Sequence, residues 1–232
     1  MDHGVLTHPE TGVVQGGVLS PGLANIFLHH VLDEWFEREV QPRLKGRSFL
    51  TRFADDFVIG GALEADAQKI MAVLPKRFAR FGLRIHPTTT TVVGFRKPKA
   101  SHASAHGNGT FECLGFTPYW ARTRRGLWVI KRRTARKRLR RTQQALWQWC
   151  RHNRHAPLQY QYRMLCVKLR GHFRYYGIRG NFPLLENVRR YAEQAWRYWL
   201  SRRRSKSAMG WEQCQRLLQT SVLPTPKIVH NI

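Results

Sequence analysis

Apolar residues recur at helical spacing in two segments of the N-terminal half. The pattern predicts one helix from about residue 21 to 40 and a second from about residue 64 to 81. The apolar side of the first carries Leu23, Ile26, Phe27, His30, Val31, Glu34 and Trp35, and that of the second Ala67, Ile70, Met71, Leu74, Phe78 and Phe81. Pro75 is expected to kink or divide the second helix, and Gly82 to end it. Both helices are expected to pack against a sheet.

Strand-like composition occurs at several places. Residues 49–53 and 57–59 are expected to form a hairpin, since apolar and aromatic residues there flank a short polar turn. Further strands are predicted at residues 88–93, where Thr and Val predominate, at 110–116 and at 128–130. Residues 96–110 have loop composition and predict an exposed connection, with a nucleic-acid contact as the alternative.

Three more helical patterns follow, at about residues 134–152, 160–176 and 184–201. The first half of the first helix is strongly basic, and only Ala135 and Leu139 are available there to face a core. In its second half Leu146, Trp147 and Trp149 are expected to face the core. Apolar stripes on the other two consist of Leu165, Leu169 and Phe173, and of Leu185, Val188, Ala192, Ala195, Trp196 and Trp199. Together these helices predict a small bundle.

The charge is very uneven along the chain. The formal net charge is +26, yet residues 1–120 hold 13 Lys and Arg against 11 Asp and Glu, so residues 121–232 account for +24 of it. Polyanions are the usual partners of such a field. A disordered basic tail is the alternative, but this half is also rich in Trp and Tyr, in which disordered segments are poor. The cations at 136–141 would repel one another unless phosphates screened them, the alternative being a solvated helix face.

Cysteine usage and hydropathy exclude several classes of protein. Cys113, Cys150, Cys166 and Cys214 are far apart and form no Cys-x-x-Cys pair, so neither a zinc site nor a disulfide framework is indicated. A reducing cytoplasm fits this pattern. No apolar run is long enough to span a bilayer, and the N-terminus does not resemble a secretion signal.

Two adjacent carboxylates, Asp55 and Asp56, fall in the turn of the predicted hairpin. Like charges at neighbouring positions repel, and burying them beside Phe53 and Phe57 without a counter-charge would be costly. Mg²⁺ would remove that cost, because it prefers oxygen ligands, and nucleotidyl transfer uses such metals. The turn is therefore a candidate catalytic metal site, with an ordinary acidic surface turn as the alternative.

A second candidate is the loop that precedes the first helix. Its glycine pair, Gly16 and Gly17, follows Gln15 and permits close approach of the backbone to a ligand, while Ser20 and Pro21 begin the helix. A nucleic-acid strand or a nucleotide could lie against this loop. The alternative is a helix-entry loop whose glycines only relieve backbone strain.

In order and spacing these strings resemble the reverse transcriptases encoded by bacterial group II introns. The resemblance rests on Gln-Gly-Gly-x-x-Ser-Pro at 15–21, Phe-Ala-Asp-Asp at 53–56, Phe-Gly-Leu at 81–83 and Phe-x-x-Leu-Gly-Phe at 111–116. It continues through Leu-Arg-Gly-His-Phe-Arg-Tyr-Tyr-Gly at 169–177, and through the basic string at 201–205 followed by Trp211.

The resemblance implies an α+β fold, in which a polymerase palm remnant (an antiparallel sheet with helices on one face) precedes an all-α thumb/maturase bundle. The partial palm would span residues 1–118, a connecting strand or linker 119–133, the thumb/maturase (X) domain 134–200 and a basic C-terminal tail 201–232. In the family, the Gln-Gly-Gly-x-x-Ser-Pro string is motif B, and motif A with the first metal-binding Asp precedes it. The sequence is therefore expected to begin inside the palm. The lack of Cys-x-x-Cys pairs indicates a branch without the His-Asn-His endonuclease.

The resemblance also assigns site residues. Asp55 and Asp56 would be the catalytic residues and the ligands of Mg²⁺. Template and nucleotide would contact Gln15, Gly16, Gly17, Ser20, Pro21 and Phe53, and the primer would contact Leu114, Gly115 and Phe116. From their charge rather than the resemblance, Arg136, Lys137, Arg138, Arg140, Arg141, Arg170 and Arg174 are expected to bind RNA. His172, Tyr175 and Tyr176 are expected to contact RNA with them, and core packing at a helix end is the alternative for these three. The implied partners are structured intron RNA, a DNA target or primer and deoxynucleotide triphosphates, with no membrane.

The sequence departs from the family at two positions. Thr89 stands where a Lys near the triphosphate is usual, and a neutral hydroxyl cannot offset phosphate charge as an ammonium can. Phe53 replaces a common Tyr but keeps the ring. The expected function is that of an RNA-directed DNA polymerase and splicing maturase of a mobile intron, with a separate polypeptide as a possible source of the fingers and early palm. The alternative is a catalytically incomplete RNA-binding fragment or a maturase-only splicing cofactor.

Overall fold

The computed structural model describes residues 18–98, 109–203 and 222–230. The chain divides into two compact units, Met1–Gly94 and Phe95–Ile232. Each unit has its own hydrophobic core and its own two-stranded antiparallel sheet, which agrees with the predicted mixture of helices and antiparallel strands. In the described parts of the chain, no helix is long and apolar enough to cross a membrane.

The first unit begins with a continuous helical stretch whose winding changes along its length. Helix α1 (Ser20–Leu28) leads into π-helical turns at His29–Asp33 and Phe36–Val40 and a short 3₁₀ turn at Gln41–Arg43. Strands β1 (Ser48–Phe53) and β2 (Asp56–Gly61) form the predicted hairpin, and helix α2 (Glu64–Ala79) follows. Pro75 lies inside α2 without dividing it.

The buried side of the first helical stretch differs from the predicted one. Val31 and Trp35 are buried as expected, but Leu23, Ile26 and Phe27 are exposed, and the core instead receives Leu32, Phe36 and Val40. The prediction assumed α-helical periodicity throughout. Because π-helical turns bond residue i to i+5, they change which positions after Leu28 face the core. Leu23, Ile26 and Phe27 lie before these turns, in regular α-helix, so the change of winding does not account for their exposure.

One face of the hairpin packs on the helices of this unit. Leu50, Phe57 and Ile59 contact the core formed by the first helical stretch and by Ile70, Leu74 and Phe78 of α2. Of the remaining residues in the predicted α2 stripe, Ala67 and Met71 are half-buried and Phe81 is exposed. A charged residue, Asp66, is also buried in α2, where it accepts hydrogen bonds from the backbone N–H groups of Lys45 and Gly46 at 3.0 and 2.8 Å.

The strand predicted at residues 88–93 is wrong. This segment is a turn followed by irregular chain, and the N–H group of Thr90 bonds to the carbonyl of His86. β-branched residues favour a strand when a neighbouring strand is there to pair with them, and β1 and β2 pair only with each other within the described residues.

The second unit contains a hairpin followed by three helices. Strands β3 (Phe116–Arg122) and β4 (Trp128–Thr134) pair along their whole length, and helices α3 (Arg136–His152), α4 (Leu158–Tyr176) and α5 (Phe182–Ser201) follow. The predicted strand at 110–116 is wrong, because Leu114 and Gly115 instead form a two-residue turn with φ of +50° and +77°. The predicted loop at 96–110 lies largely outside the described residues.

The three predicted helices and their apolar stripes are confirmed. Leu165, Leu169 and Phe173 of α4 are buried, and so are all the predicted residues of α5 except Trp199, which is half-buried. Ala135, the residue before α3, and Leu146 within it are buried, and Leu139, Trp147 and Trp149 are partly buried against the core. The sequence interpretation missed Cys150, which is buried four residues after Leu146.

The described end of the chain belongs to this core. Leu223 is buried among the helices, and the N–H groups of Val229 and His230 bond to the carbonyl of Gly177 at 2.7 and 3.0 Å. Residues 222–230 thus contact the helical part of this unit through Leu223 and Gly177. Residues 204–221, which include Ser205 and Trp211 of the predicted tail, lie outside the described part.

Candidate functional site

The two adjacent aspartates lie at the tip of the first hairpin. Phe53 pairs with Asp56, which leaves Ala54 and Asp55 as a two-residue turn, with Asp56 as the first residue of β2. Both carboxylates are exposed, and neither has a hydrogen-bond or ion-pair partner within the described residues. The predicted tight acidic turn is therefore present. Its catalytic role stays a prediction.

Ala54 gives this turn an unusual backbone. Its φ is +54°, in the left-handed region, which costs a residue with a Cβ atom about 1–2 kcal/mol. The surrounding structure must hold such a conformation in place. The contact that does so is a hydrogen bond of 3.0 Å from Arg52 Nη1 to the carbonyl oxygen of Ala54.

Arg52 connects the turn to the helices of the same unit. Its Nε and Nη2 atoms donate to the carboxylate of Asp33 at 2.8 and 2.7 Å, and Nη1 also donates to Asn25 Oδ1 at 3.0 Å. The Arg52 side chain is only 13% exposed and that of Asp33 22%. Hydrogen bonds from Arg52 lower the pKa of Asp33, and the same bonds raise the pKa of Arg52. One guanidinium therefore ties α1, the first π-helical turn and the acidic turn together.

The sequence interpretation missed this role of Arg52, although a signal was available. Side chains alternate between the two faces of a strand, and Leu50 and Arg52 are on the inward face of β1 while Phe49, Thr51 and Phe53 are on the outward face. A charged residue at an inward position needs a partner.

The two carboxylates fit part of a magnesium site. They are exposed, uncommitted oxygen ligands at adjacent positions, which suits a cation that also keeps water and phosphate oxygens in its shell. Asp33 is unsuited to join them because Arg52 occupies its carboxylate. The described residues contain no group of three His, Cys, Asp or Glu that could hold a metal ion.

The other predicted template and nucleotide residues are only partly described. Gln15, Gly16 and Gly17 lie outside the described residues. Ser20 is the first residue of α1 and Pro21 the next, as expected for a helix start. Phe53 is 68% exposed beside the acidic turn. Thr89 is exposed in the irregular segment that replaces the predicted strand.

The predicted primer-contacting residues lie in the second unit, against the end of α4. Cys113 and Phe116 exchange two backbone hydrogen bonds of 2.9 Å around Leu114 and Gly115. Tyr175 donates its hydroxyl to the Leu114 carbonyl at 3.0 Å, and its ring stacks on that of Phe116. A Cβ atom on Gly115 would come within 2.9 Å of the Tyr176 hydroxyl oxygen, so glycine is required here by both φ and space.

His172 is part of the same aromatic group. Its ring centroid lies 4.7 Å from that of Tyr176, and burial lowers the pKa of His172 to about 4. Burial likewise raises the pKa of Tyr176. His172 is consequently neutral at pH 7, so any contact it makes with RNA at that pH does not involve a positive charge.

The predicted RNA-binding cations are on the surface of the second unit. Five exposed cations are on α3: Arg136, Lys137, Arg138, Arg140 and Arg141. On α4, Arg170, Arg174 and the ring of Tyr175 are exposed. The interpretation missed a further basic element, the β3–β4 hairpin, whose tip exposes Arg124 and Arg125. The closely spaced Arg122, Arg124 and Arg125 before Gly126 could have indicated it from the sequence. In the structure Arg122 pairs with Trp128 across the hairpin and lies over the Trp128 ring at 4.8 Å.

Residues 6–118 match the family model for reverse transcriptase (RNA-dependent DNA polymerase). No curated protein matches the chain significantly. The matched segment contains both the acidic turn and the turn at Leu114–Gly115. The match supports a reverse transcriptase family, and with it a nucleic-acid template, nucleotide substrates and RNA-directed DNA synthesis as the general activity.

Proposed function

We propose that this chain carries part of the palm and the thumb/maturase domain of a reverse transcriptase encoded by a group II intron. It binds intron RNA to promote splicing and, in the complete protein, takes part in Mg²⁺-dependent nucleotidyl transfer to a DNA primer. The observation that carries this proposal is the exposed Asp55–Asp56 turn inside the segment that matches the reverse transcriptase family.

The roles of the residues follow from their positions. Asp55 and Asp56 would hold Mg²⁺, which when bound offsets negative charge on the phosphoryl group being transferred. Arg52 holds the turn that carries them. The exposed ring of Phe53 would contact the template or nucleotide beside it, and the turn at Leu114–Phe116 would contact the primer.

A second candidate is an RNA-binding splicing cofactor without polymerase activity. The concentration of +24 charges after residue 120 favours it, together with the neutral Thr89. This function requires only the exposed cations of the second unit. It makes no use of the acidic turn.

Metal binding tests the proposed role of the acidic turn directly. Mn²⁺ can replace Mg²⁺ at oxygen ligands, and its paramagnetism should broaden NMR signals of residues near the hairpin tip in the full chain. We expect this broadening to disappear in Asp55→Asn and to persist in Glu64→Gln, a control in the same unit. Equal broadening in wild type and Asp55→Asn would contradict a metal site at this turn.

Primer extension separates the two candidate functions. The full chain is incubated with an RNA template, a DNA primer, deoxynucleotide triphosphates and Mg²⁺, and RNA binding is measured in parallel. Because one turn supplies only two carboxylates, we expect little extension from this chain by itself. Extension that is lost in Asp55→Asn would establish the enzyme. RNA binding with little extension agrees with both candidates, and Mn²⁺ broadening at the hairpin tip then favours the first. Absence of RNA binding would contradict both candidates.

A further inference from the structure

A groove of about 280 Å³ lies between α3 and α5 in the second unit. Four of its residues, Arg140, Gln143, Gln144 and Trp147, follow one another at helical spacing along one face of α3, and Tyr191 of α5 completes the lining. None of these residues is used by the acidic turn or by the turn at Leu114–Gly115. The size is just below that of typical small-molecule sites and suits a single flat group.

Two of the residues that line this groove are aromatic, and other side chains pack against their rings. Trp147 is half-buried and its ring is fixed by contacts with Tyr198 and Trp199, at centroid distances of 4.8 and 5.4 Å. Tyr191 is also half-buried and packs against the helical core. Rings held in this way lose little freedom when a planar ligand stacks on them.

Amide side chains supply hydrogen-bonding groups in and beside the groove. Gln143 Nε2 donates to Asn187 Oδ1 at 2.9 Å, which leaves the Gln143 carbonyl oxygen and the Asn187 amino group available for other partners. Gln144 is exposed, and its side chain has no hydrogen-bond partner in the described structure. Paired donors and acceptors of this kind match the edges of nucleobases.

The charge around the groove is positive. Helix α3 contains no Asp or Glu, and the guanidinium of Arg140 is exposed at the groove. The two acidic residues of α5, Glu186 and Glu193, are both bound by Arg189, at 2.7 and 2.6 Å. A phosphate beside the groove would therefore meet a cation and no uncompensated carboxylate of these two helices.

We infer that this groove binds one unpaired base of an RNA strand. The base stacks against Trp147, its edge is read by the amides of Gln143, Gln144 and Asn187, and its phosphate contacts Arg140. An apolar protein segment would leave these amides unpaired, and a duplex keeps its bases stacked inside, so neither fits the lining as well. The inference rests on the RNA binding proposed above and adds a specific site to it.

The test compares single-stranded with duplex RNA of equal length, using fluorescence anisotropy on the full chain. Gln144→Leu removes an exposed amide that takes no part in the core, and Trp147→Leu removes the stacking ring. We expect Trp147→Leu to weaken binding of single-stranded RNA about five- to hundredfold, the range for loss of one stacked base, and Gln144→Leu to weaken it less. Binding of duplex RNA should change in neither variant.

A neighbouring cation gives a matched control. Arg140→Gln and Arg141→Gln remove the same charge from adjacent exposed positions of α3, but only Arg140 lines the groove. We expect Arg140→Gln to weaken single-stranded RNA binding more than Arg141→Gln, and both to weaken duplex binding equally. Circular dichroism of each variant verifies that the helices are intact.

The outcomes distinguish this inference from the proposed function. If the wild-type chain does not bind RNA at all, the proposed RNA-binding function fails with it. If the wild type binds RNA, and Gln144→Leu and Trp147→Leu bind single-stranded RNA with the same affinity as the wild type, only the base site is overturned. Equal loss for single strands and duplex in both variants would also overturn the base site.

Discussion

Replacing Arg52 tests whether the acidic turn is held in place by a single side chain. Arg52→Met keeps the apolar part of the side chain but removes the guanidinium, which donates hydrogen bonds to Asp33, Asn25 and Ala54. Asp33 is then left without its main counter-charge in a site where its side chain is only 22% exposed. The left-handed Ala54 loses the hydrogen bond to its carbonyl oxygen. We therefore expect the turn to open more often.

The size of the effect follows from the kind of bond that is removed. Hydrogen bonds to charged groups contribute about 1.5–3 kcal/mol each, and breaking a fully buried ion pair costs about 3–5 kcal/mol. This pair is partly solvated, so we expect a loss of about 2–3 kcal/mol in the local stability of the hairpin. Since 1.4 kcal/mol corresponds to a factor of ten, amide exchange in the hairpin should accelerate about thirty- to hundredfold.

Hydrogen exchange measured by mass spectrometry on the full chain reads this effect at residues 48–61. Arg84→Met is the control, because Arg84 is an exposed arginine of the same unit with no hydrogen-bond partner in the described structure. Arg52→Lys should be intermediate, since an ammonium keeps the charge near Asp33 but cannot form the planar fork. Unchanged exchange in Arg52→Met would refute the argument that Arg52 holds the turn.

The pH dependence of this difference can also be predicted. Arg52 holds the pKa of Asp33 below its ordinary value of 3.8. A carboxylate of this kind stabilises the fold fully above its ordinary pKa and loses that contribution as the pH falls through the lowered value. The difference in exchange between wild type and Arg52→Met should accordingly shrink in acid.

Three further predictions concern the second unit. Asn181 is fully buried and makes three side-chain hydrogen bonds of 2.8–2.9 Å to Thr134 and Tyr176. Asn181→Ala should therefore lower the stability of this unit by about 2–4 kcal/mol in calorimetry, while Asn187→Ala, at an exposed position, should change the stability little. Equal effects of the two substitutions would contradict this role of Asn181. The pKa of His172 is about 4 against an ordinary 6.5, so the unfolded chain takes up a proton at this residue first as the pH falls. The urea midpoint should therefore fall between pH 6.5 and 4 in wild type, and fall less in His172→Gln. A midpoint with the same pH profile in both proteins would be inconsistent with the buried neutral ring. Replacement of the five cations at residues 136–141 by Gln should lower the slope of log RNA affinity against log salt by roughly 0.7–0.9 for each phosphate that the variant no longer neutralises. An unchanged slope would identify this run as a solvated helix face.

Much of the second unit could be predicted from the sequence, because its core is built from regular α-helices. The stripes of α4 and α5 repeat at a spacing that periodicity alone detects, and all their residues are buried except Trp199, which is half-buried. Cys150 was missed, although it continues the spacing from Leu146, because the interpretation followed the neighbouring Trp residues. The burial of Leu223 was not predictable, since nothing local marks which part of a basic tail returns to the core.

Errors in the strands share a physical cause. The Thr-rich segment at 88–93 and the segment at 110–116 both have strand-like composition, yet a strand forms only where another strand supplies hydrogen bonds. Leu114 and Gly115 instead turn the chain by adopting positive φ. The glycine suggested such a turn, but a leucine in the left-handed region did not.

The candidate catalytic turn shows the same division between local and distant information. Its position could be predicted, because the two carboxylates and their strand-like flanks are adjacent in sequence. Its support could be predicted only in part, because the inward position of Arg52 in β1 calls for a partner but does not identify Asp33, which lies 19 residues away. Asp33 lies in the π-helical turn His29–Asp33, and Arg52 lies on the inward face of β1. A change that leaves both aspartates intact but removes this ion pair should therefore disturb the candidate site, and the sequence motif by itself would give no warning of it.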